Sequence, residues 1–472
     1  MVEQIVSAIV RGSIPVDKPL PPSRALAAQL GVARNTVTLA YYRLKDDGYL
    51  LSRERSGFYV NPDAIEVNAV SPASDEPSSV GTASGPDWHV RTLRIPSAQR
   101  NIEKPVNWTD YPFPFIYGQV DHSLFPVHHW RECCRDAASV GAVKDWAGDR
   151  VGKDDELLIA QIRQHLLPRR GVFAESDQIM ITVGAQQALY MIARLFLDAS
   201  KTIGLEDPGY VDIRNIAQLN KARTIPLPVD EEGLIVSHDI ANCDYVYVTP
   251  SHQSPTTVTL PLKRRNELLN LASSEDVVII EDDYESEMAF LSAPTPALKS
   301  LDKNDRVIYV GSLSKTLAPG LRIGYVVAAA SVITELRALR RLILRHPAAN
   351  NQRAAAMFMA RGYYDTLKRK LVEAYKQRFH IMHDALDRYL PDSTKVPAHG
   401  GSSFWVQADS RLDARELAVR AASEGILIEP GDIHYQSKNA PLNCFRLGYS
   451  SIHHTRIEPG IKRVSELIHE LI

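Results

Sequence analysis

Apolar residues recur at helical spacing near the start of the chain, where Ile5, Ile9 and Val10 share one face before the stretch from Pro15 to Pro22 breaks the run. A second helix is predicted from Ser23, with Ala25, Leu26 and Leu30 as its apolar side and Gly31 as its stop. A third runs from about Arg34 to Gly48 and turns Val37, Ala40, Tyr41 and Leu44 inward. From Tyr49 to Val60 the period changes to two around a Ser56-Gly57 turn, which predicts a two-stranded hairpin. Residues 1–61 therefore read as a winged helix-turn-helix.

Beyond Asn61 the periodicity fades. Ser, Pro, Gly, Ala and acids dominate, most clearly from Ser71 to Pro86, and residues 62–106 are expected to form a flexible linker. The remainder alternates helical stretches with short apolar runs at Gln178–Val183, Thr202–Leu205, Tyr245–Val248, Val277–Glu281, Val307–Val310 and Tyr325–Ala328. Such alternation predicts an α/β body with a largely parallel sheet and a ligand at the carboxyl ends of its strands. Long helices from about Ala354 to Tyr389 and an α+β stretch ending in Cys444–Tyr449 mark a change of character. The expected division is a large domain over 107–345 and a small C-terminal α+β domain over 346–472.

Composition fits this multidomain picture. A chain of 472 residues exceeds one ordinary core, and 44% hydrophobic with 23% charged residues is globular usage. No apolar run approaches the roughly 20 residues needed to cross a bilayer, and no secretory signal pattern opens the chain, so a cytoplasmic location is expected. Cys133, Cys134, Cys243 and Cys444 lack metal-ligand spacing and read as reduced thiols, with no metal expected. The net charge of −2 hides an uneven distribution, because residues 1–61 carry eight Arg/Lys against five acids.

Two constellations carry candidate chemistry. Arg34, Asn35, Thr36 and Thr38 stand at the start of the second helix of the helix-turn-helix, where side chains reach base edges and phosphates. In the body, Ser312-Leu-Ser-Lys-Thr-Leu-Ala-Pro-Gly-Leu-Arg follows a strand and joins a lysine, hydroxyls and a guanidinium. Pyridoxal phosphate needs that set: an amine for its Schiff base, and donors for its phosphate. Upstream, the apolar strand before Glu281-Asp-Asp-Tyr brings carboxylates to a strand end, and one of them can hold a pyridinium proton. Thr182-Val-Gly-Ala-Gln-Gln-Ala-Leu is a strand-to-helix turn suited to a phosphate.

The segments Leu20-Pro-Pro-Ser-Arg-Ala-Leu-Ala, Leu30-Gly-Val-Ala-Arg-Asn-Thr-Val and Asp47-Gly-Tyr-Leu resemble the GntR-type winged helix. That resemblance puts Arg24 and Arg34 on phosphate or guanine, Thr36 and Thr38 on the recognition helix, and Gly57 at the wing tip. From about Tyr117 onward the chain resembles fold-type I aminotransferases. By this likeness Lys315 is the Schiff-base lysine, Asp282 the pyridinium partner and Tyr284 the neighbour of the cofactor's phenolic oxygen. Gly184, Ala185, Gln186, Ser312, Ser314 and Arg322 form the phosphate cup, Tyr210 covers the ring, and His252 and Gln253 contact it. In Phe445-Arg-Leu-Gly-Tyr-Ser, Arg446 is the carboxylate anchor. The sequence departs from the usual Pro-Thr-Gly at Pro255-Thr256-Thr257, and differs from commoner relatives around Arg345-His346-Pro347 and Arg361-Gly-Tyr-Tyr.

Together the two halves resemble the MocR/GabR family of bacterial transcription regulators, with a look of its ectoine and taurine utilisation branches. The resemblance implies a pyridoxal 5'-phosphate protein that senses an amino compound by external aldimine formation at Lys315. It also implies binding to double-stranded DNA with repeated or palindromic half-sites, as a domain-swapped homodimer that is nucleoid-associated when bound. Family effectors include GABA, taurine, pyridoxal phosphate and ectoine-breakdown intermediates. The alternatives are a working aminotransferase with an accessory DNA-binding domain, and a plain repressor on an inert scaffold.

Overall fold

Glycine and proline punctuation cuts the N-terminal unit into helices that are individually too short to be stable without packing. In the computed structural model, which describes residues 1–53, 56–66, 86–291, 295–395, 400–437 and 439–472, the chain divides into two compact units, Met1–Arg91 and Thr92–Ile472. The first contains α1 (Val2–Val10), α2 (Ser23–Leu30) and α3 (Arg34–Asp46), then an antiparallel hairpin of β1 (Leu50–Arg53) and β2 (Gly57–Val60). Gly31 ends α2 at φ 67°, in the left-handed region a side chain would resist, and its N–H donates to the Ala27 carbonyl. Ile9, Leu20, Ala27, Val37, Tyr41, Leu44, Leu50 and Val60 make one core, and fully burying side chains of this size contributes about 1.5–3 kcal/mol each. The expected apolar faces are corrected at three positions. Val10 is 37% and Leu30 51% exposed, Ala25 is exposed, and Ala27 instead carries the buried face of α2.

Residues 67–85 of the expected linker lie outside the described residues. Its downstream end is shorter than expected, because residues from Thr92 belong to the second unit. Gln99 donates to the Asn215 carbonyl at 2.9 Å, Asn215 donates to the Arg100 carbonyl at 3.0 Å, and Arg100 pairs with Asp432 at 2.6 Å. Polar groups satisfied in this way hold the segment as ordered structure rather than tether.

The second unit is built on an eight-stranded sheet. Its strands are β3 (Ile179–Thr182), β4 (Thr202–Asp207), β5 (Arg223–Asp230), β6 (Gly233–Leu234), β7 (Tyr245–Val248), β8 (Val278–Asp283), β9 (Val307–Ser312) and β10 (Gly324–Val327). They lie in the order β3-β10-β9-β8-β7-β4-β5-β6. Strands β9, β8, β7, β4 and β5 run parallel, whereas β10 is antiparallel to both its neighbours and β6 to β5. Alternate residues serve opposite faces. Tyr247, Ile280 and Ile308 join one core with helix α4 (Gly184–Phe196), and Val246, Ile279 and Val307 join the other. Strand β5 departs from the expected runs, since Pro226 and Pro228 interrupt its pattern and four of its residues are exposed and three half-buried.

The expected long helical stretch is two helices, α5 (Ala349–Ala360) and α6 (Tyr363–Tyr389), broken at Arg361-Gly362, where Gly362 has φ 76°. Beyond them β11 (Ser403–Gln407), β12 (Glu429–Pro430) and β13 (Cys444–Gly448) form an antiparallel layer, covered by α7 (His454–Leu471). Phe113–Pro114 pairs with Ile426–Leu427, and the Gly448 N–H donates to the Phe115 carbonyl at 3.0 Å. The chain around residue 115 thus pairs with the C-terminal layer and carries Tyr117 and Gly118 past β13. Among the described residues no helix is long and apolar enough to cross a membrane, and all four cysteines are free.

Candidate functional site

In the first unit, Arg34, Asn35 and Thr36 occupy the first turn of α3 and are exposed, as is Arg24 in the first turn of α2. Thr38 sits one turn on and donates to the Arg34 carbonyl at 3.0 Å, an intrahelical bond that directs its hydroxyl back to the helix. Gly57 opens β2 at φ 104° and is exposed at the end of the hairpin. Arg53 lies 4.3 Å from the centre of the Tyr59 ring, a cation held on the wing that motif reading had not singled out. A helix start carrying arginine, asparagine and threonine, with Arg53 on the hairpin, has the side-chain types that suit phosphates and base edges.

In the second unit, strand alternation resolves which carboxylate of the 281–283 run can serve a ligand. Glu281 and Asp283 share one face of β8 and Asp282 takes the other. Glu281 accepts from the N–H groups of Leu298 and Lys299, both at 2.8 Å, and so caps a short helix. Asp283 accepts from Arg170 and Tyr309, both at 2.7 Å. Burial alone would raise Asp283, but the Arg170 guanidinium outweighs it and holds the carboxyl below the usual range. Asp282 instead faces a cavity of about 540 Å³.

That cavity is lined by Ala185, Gln186, Tyr210, Asp282, Tyr284, Ser312, Ser314, Lys315, Arg322 and Arg446 among the expected residues. Burial pushes Asp282 up to about 7, opposed by the Tyr247 hydroxyl that donates to it at 2.8 Å. Burial also brings Lys315 down to about 8, against the pull of Glu285. Gly184 opens α4 at φ 72°, and a Cβ there would stand 2.9 Å from an Arg322 nitrogen. Glycine therefore accommodates the left-handed backbone and leaves the Arg322 guanidinium room at the helix start. Tyr210 donates to Gln186 and contacts Asp212 at 2.8 and 3.0 Å, which commits the Gln186 side chain while its main-chain N–H stays at the helix terminus.

His252 and Gln253, expected on the ring, do not line the cavity. Both are buried, and the Gln253 amide donates to Glu206, the Pro208 carbonyl and the Ser254 carbonyl while accepting from Thr256. It organises the loop behind the site, and Ser254 is the residue of that loop that reaches the cavity. Thr257, which stands where the expected Pro-Thr-Gly has its glycine, adopts φ 66°, a backbone conformation that burdens a β-branched residue.

Five further residues shape the site. Lys104, Tyr117 and Gly118 line it, Tyr247 holds Asp282, and Glu429 pairs with Arg446 at its side. Arg446 crosses the Tyr117 ring with its guanidinium carbon 3.9 Å from the ring centre. Burial would raise Glu429, but Arg446 and His434 bring it down to about 2. One signal was legible beforehand: Glu429 is the lone acid closing the apolar run Ile426–Ile428.

Pyridoxal phosphate fits this donor set. Asp282 Oδ1 and Ser314 Oγ are buried without a hydrogen-bond partner among the described residues, and such oxygens are costly unless a ligand meets them. Elsewhere, His128, His129 and Glu132 bring ligand atoms within 4.8 Å. Glu132 is already bound to Arg361 at 3.0 Å and His129 stacks on Tyr363 at 4.0 Å, so the group reads as packing.

Comparison with known proteins agrees with both halves. The profile "Bacterial regulatory proteins, gntR family" matches residues 1–60, and "Aminotransferase class I and II" matches residues 155–464. The HTH-type transcriptional regulator TauR of Rhodobacter capsulatus is 39% identical over 99% of this chain and 95% of its own length. The probable rhizopine catabolism regulatory protein MocR of Rhizobium meliloti is 30% identical over 97% of this chain and 91% of its own. Among solved structures, the α-aminoadipate aminotransferase LysN of Thermus thermophilus, complexed with N-(5'-phosphopyridoxyl)-L-leucine, superposes with a TM-score of 0.69. It is 28% identical and covers 76% of this chain and 92% of that one.

Proposed function

This chain belongs to the MocR-type family of pyridoxal-phosphate-dependent, DNA-binding transcription regulators, and from that premise we propose that it senses a small primary amine at Lys315 and controls genes for that compound's metabolism. When bound, the cofactor supplies an electrophilic carbonyl and an electron-withdrawing ring. In this reading Lys315 holds the carbonyl and Asp282 the ring nitrogen. Ser312, Ser314, Arg322 and the helix start at Gly184, Ala185 and Gln186 hold the phosphate, Tyr210 and Tyr284 flank the ring, and Arg446 orients an acidic group on the ligand. The observation that carries the reading is a half-buried lysine lining the same cavity as two buried oxygens, on Asp282 and Ser314, that have no hydrogen-bond partner among the described residues.

For DNA, Arg24, Arg34, Asn35, Thr36 and Thr38 with the wing at Gly57 are the contact set, and a homodimer, domain-swapped through the linker, suits paired half-sites. The target places the protein in the cytoplasm. The amine must bind two arrangements of the protein unequally for the signal to pass.

The test is to mix the holoprotein with a panel of primary amines and follow the visible band of the lysine-bound cofactor and the affinity for operator DNA together. Some amine should shift both, and Lys315→Ala should lose the band while still binding DNA. A band that no amine alters would end the sensing reading. The complete set of Lys315, Asp282 and Arg446 also favours a second reading, a working aminotransferase, which requires keto product in large excess over protein.

A further inference from the structure

Helix α3 buries Val37, Ala40, Tyr41 and Leu44 on one face. At 3.6 residues per turn, or about 100° per residue, Asn35, Leu39, Tyr42 and Asp46 all lie within about 30° of the direction opposite that face. Leu39 is 70% and Tyr42 52% exposed. Tyr42 has a partner in the Phe58 ring, whose centre is 5.8 Å away with the planes at 88°. Among the described residues, Leu39 belongs neither to the core of this unit nor to the partly buried side chains packed against it.

A single exposed leucine on an ordinary surface calls for no partner. This one stands on the helix that a helix-turn-helix lays in the major groove, four residues after Asn35. Helical side chains lean back towards the N-terminus, so Leu39 covers the surface over the turn that holds Asn35. The charges around it favour the same occupant. Arg34 and Lys45 flank the outward stripe on one side and Arg43 on the other, all exposed and placed to reach the phosphate walls of a groove. The acids, Asp46 in the last turn and Asp47 at the C-cap, stand at the far end of the helix, and Asp47 lies 3.8 Å from Arg43. Their carboxylates repel phosphates and confine close approach to the first two turns, where Leu39 sits. The major groove offers one apolar feature to such a side chain, the C5 methyl group of thymine.

We propose that Leu39 is a sequence-reading residue of the DNA-binding unit, packing on the C5 methyl group of a thymine in each half-site. The assignment rests on the DNA-reading role of α3 proposed above, and adds to it a contact that uses neither charge nor hydrogen bond. Arg34, Asn35 and Thr36 hold the helix start in register on phosphates and base edges, and the leucine one turn further on distinguishes thymine from cytosine, which lacks the methyl. Thr38 does not compete for that base, because its hydroxyl is turned back to the Arg34 carbonyl at 3.0 Å.

The full-length holoprotein tests this on a duplex that the wild type selects from a random library, with each thymine replaced in turn by deoxyuridine, which lacks only the C5 methyl. In the wild type, one replacement in each half-site should weaken binding at least threefold. Leu39→Ala should bind the unmodified duplex at least threefold more weakly than the wild type, and should no longer distinguish thymine from deoxyuridine at that position. Leu39→Met, which keeps an apolar side chain of similar size, should retain the distinction. Leu39→Gln serves in place of Leu39→Ala if the latter fails to fold. A methyl effect that persists in both Leu39→Ala and Leu39→Gln, or a wild type indifferent to every thymine methyl, overturns the proposal. So does a Leu39→Ala protein whose self-association changes while its DNA affinity does not, since the face would then serve a second copy of the chain. A wild type that selects no sequence over random DNA instead overturns the DNA-reading role beneath the proposal, so the two failures are distinguishable.

Discussion

The Lys315 Nζ stands 4.0 Å from the centre of the Tyr117 ring, close enough for the ring's negative face to offset part of the cost of burying an ammonium. Burial nevertheless dominates and brings the lysine down to about 8, with Glu285 pulling it back up and Lys104 and Arg446 pushing it lower. At pH 7 about 10% of it is the neutral nucleophile, against about 0.04% for an ordinary lysine. The rate at which apoprotein takes up the cofactor should therefore rise with pH and level off near 8. Tyr117→Leu should move that bend to lower pH. A bend near 10 would contradict the burial argument.

Asp282 links cofactor binding to stability in the opposite direction. Its carboxyl is raised to about 7 in the folded protein, chiefly by burial. Its proton is thus held more tightly folded than unfolded, and the stability this contributes is present below about pH 4 and lost as pH rises through 7. The apoprotein Tm should fall across that window, and Asp282→Asn should flatten the fall. The same variant should weaken cofactor affinity at least tenfold, since a neutral amide oxygen can accept from a protonated ring nitrogen but cannot balance its charge. A steep Tm profile retained in Asp282→Asn would show that another group governs it.

Gly184 offers a cleaner steric test. A methyl there meets Arg322 at 2.9 Å and must also adopt φ 72°, a strain on the order of 1–2 kcal/mol before the clash is counted. Gly184→Ala should lose most cofactor affinity at little cost to the separate core of the first unit, read as an absent visible band with operator binding retained. A band of normal intensity would remove Gly184 from the phosphate cup.

The parts legible in the sequence were those where chemistry and local structure coincide along the chain. The turn after β9 displays Ser312, Ser314, Lys315 and Arg322 within eleven residues, and the α3 face of Val37, Ala40, Tyr41 and Leu44 is one helical stripe. Less legible were contacts set by tertiary packing. Lys104 falls in a segment whose composition reads as linker, yet Asn215 and Asp432 hold its neighbours in place. Glu429 becomes Arg446's partner only because β12 and β13 pair with these two residues opposite each other. Gln253 carries the right residue type for a ring contact, but the Glu206 carboxylate behind the loop claims its amide.

The N-terminal unit has its own core, so its failure should be separable from the body's. Leu44 is fully buried there, and Leu44→Ala removes about 2–5 kcal/mol, enough to unfold a unit of this size. Operator binding should disappear while the cofactor band persists. Arg34→Ala, at an exposed position, should leave folding intact and weaken operator binding by about 1–3 kcal/mol if it reads a base. Equal losses on operator and random DNA would assign it to phosphate instead.

Glu429 and Arg446 form a buried pair, and removing one partner of such a pair costs about 3–5 kcal/mol because the other charge is left without compensation. Glu429→Gln keeps the shape and a hydrogen bond to His434 but strips the charge. The variant should melt lower than the wild type when no ligand is present. Its Arg446 then faces the cavity without its direct carboxylate partner, so an anionic group on a ligand has more to gain by binding. β-Alanine should raise the Tm of Glu429→Gln by more than it raises that of the wild type, and propylamine should not. The opposite ordering would mean that Glu429 is needed to aim the guanidinium at the ligand, and that its negative charge is a positioning device rather than a placeholder for the effector's own.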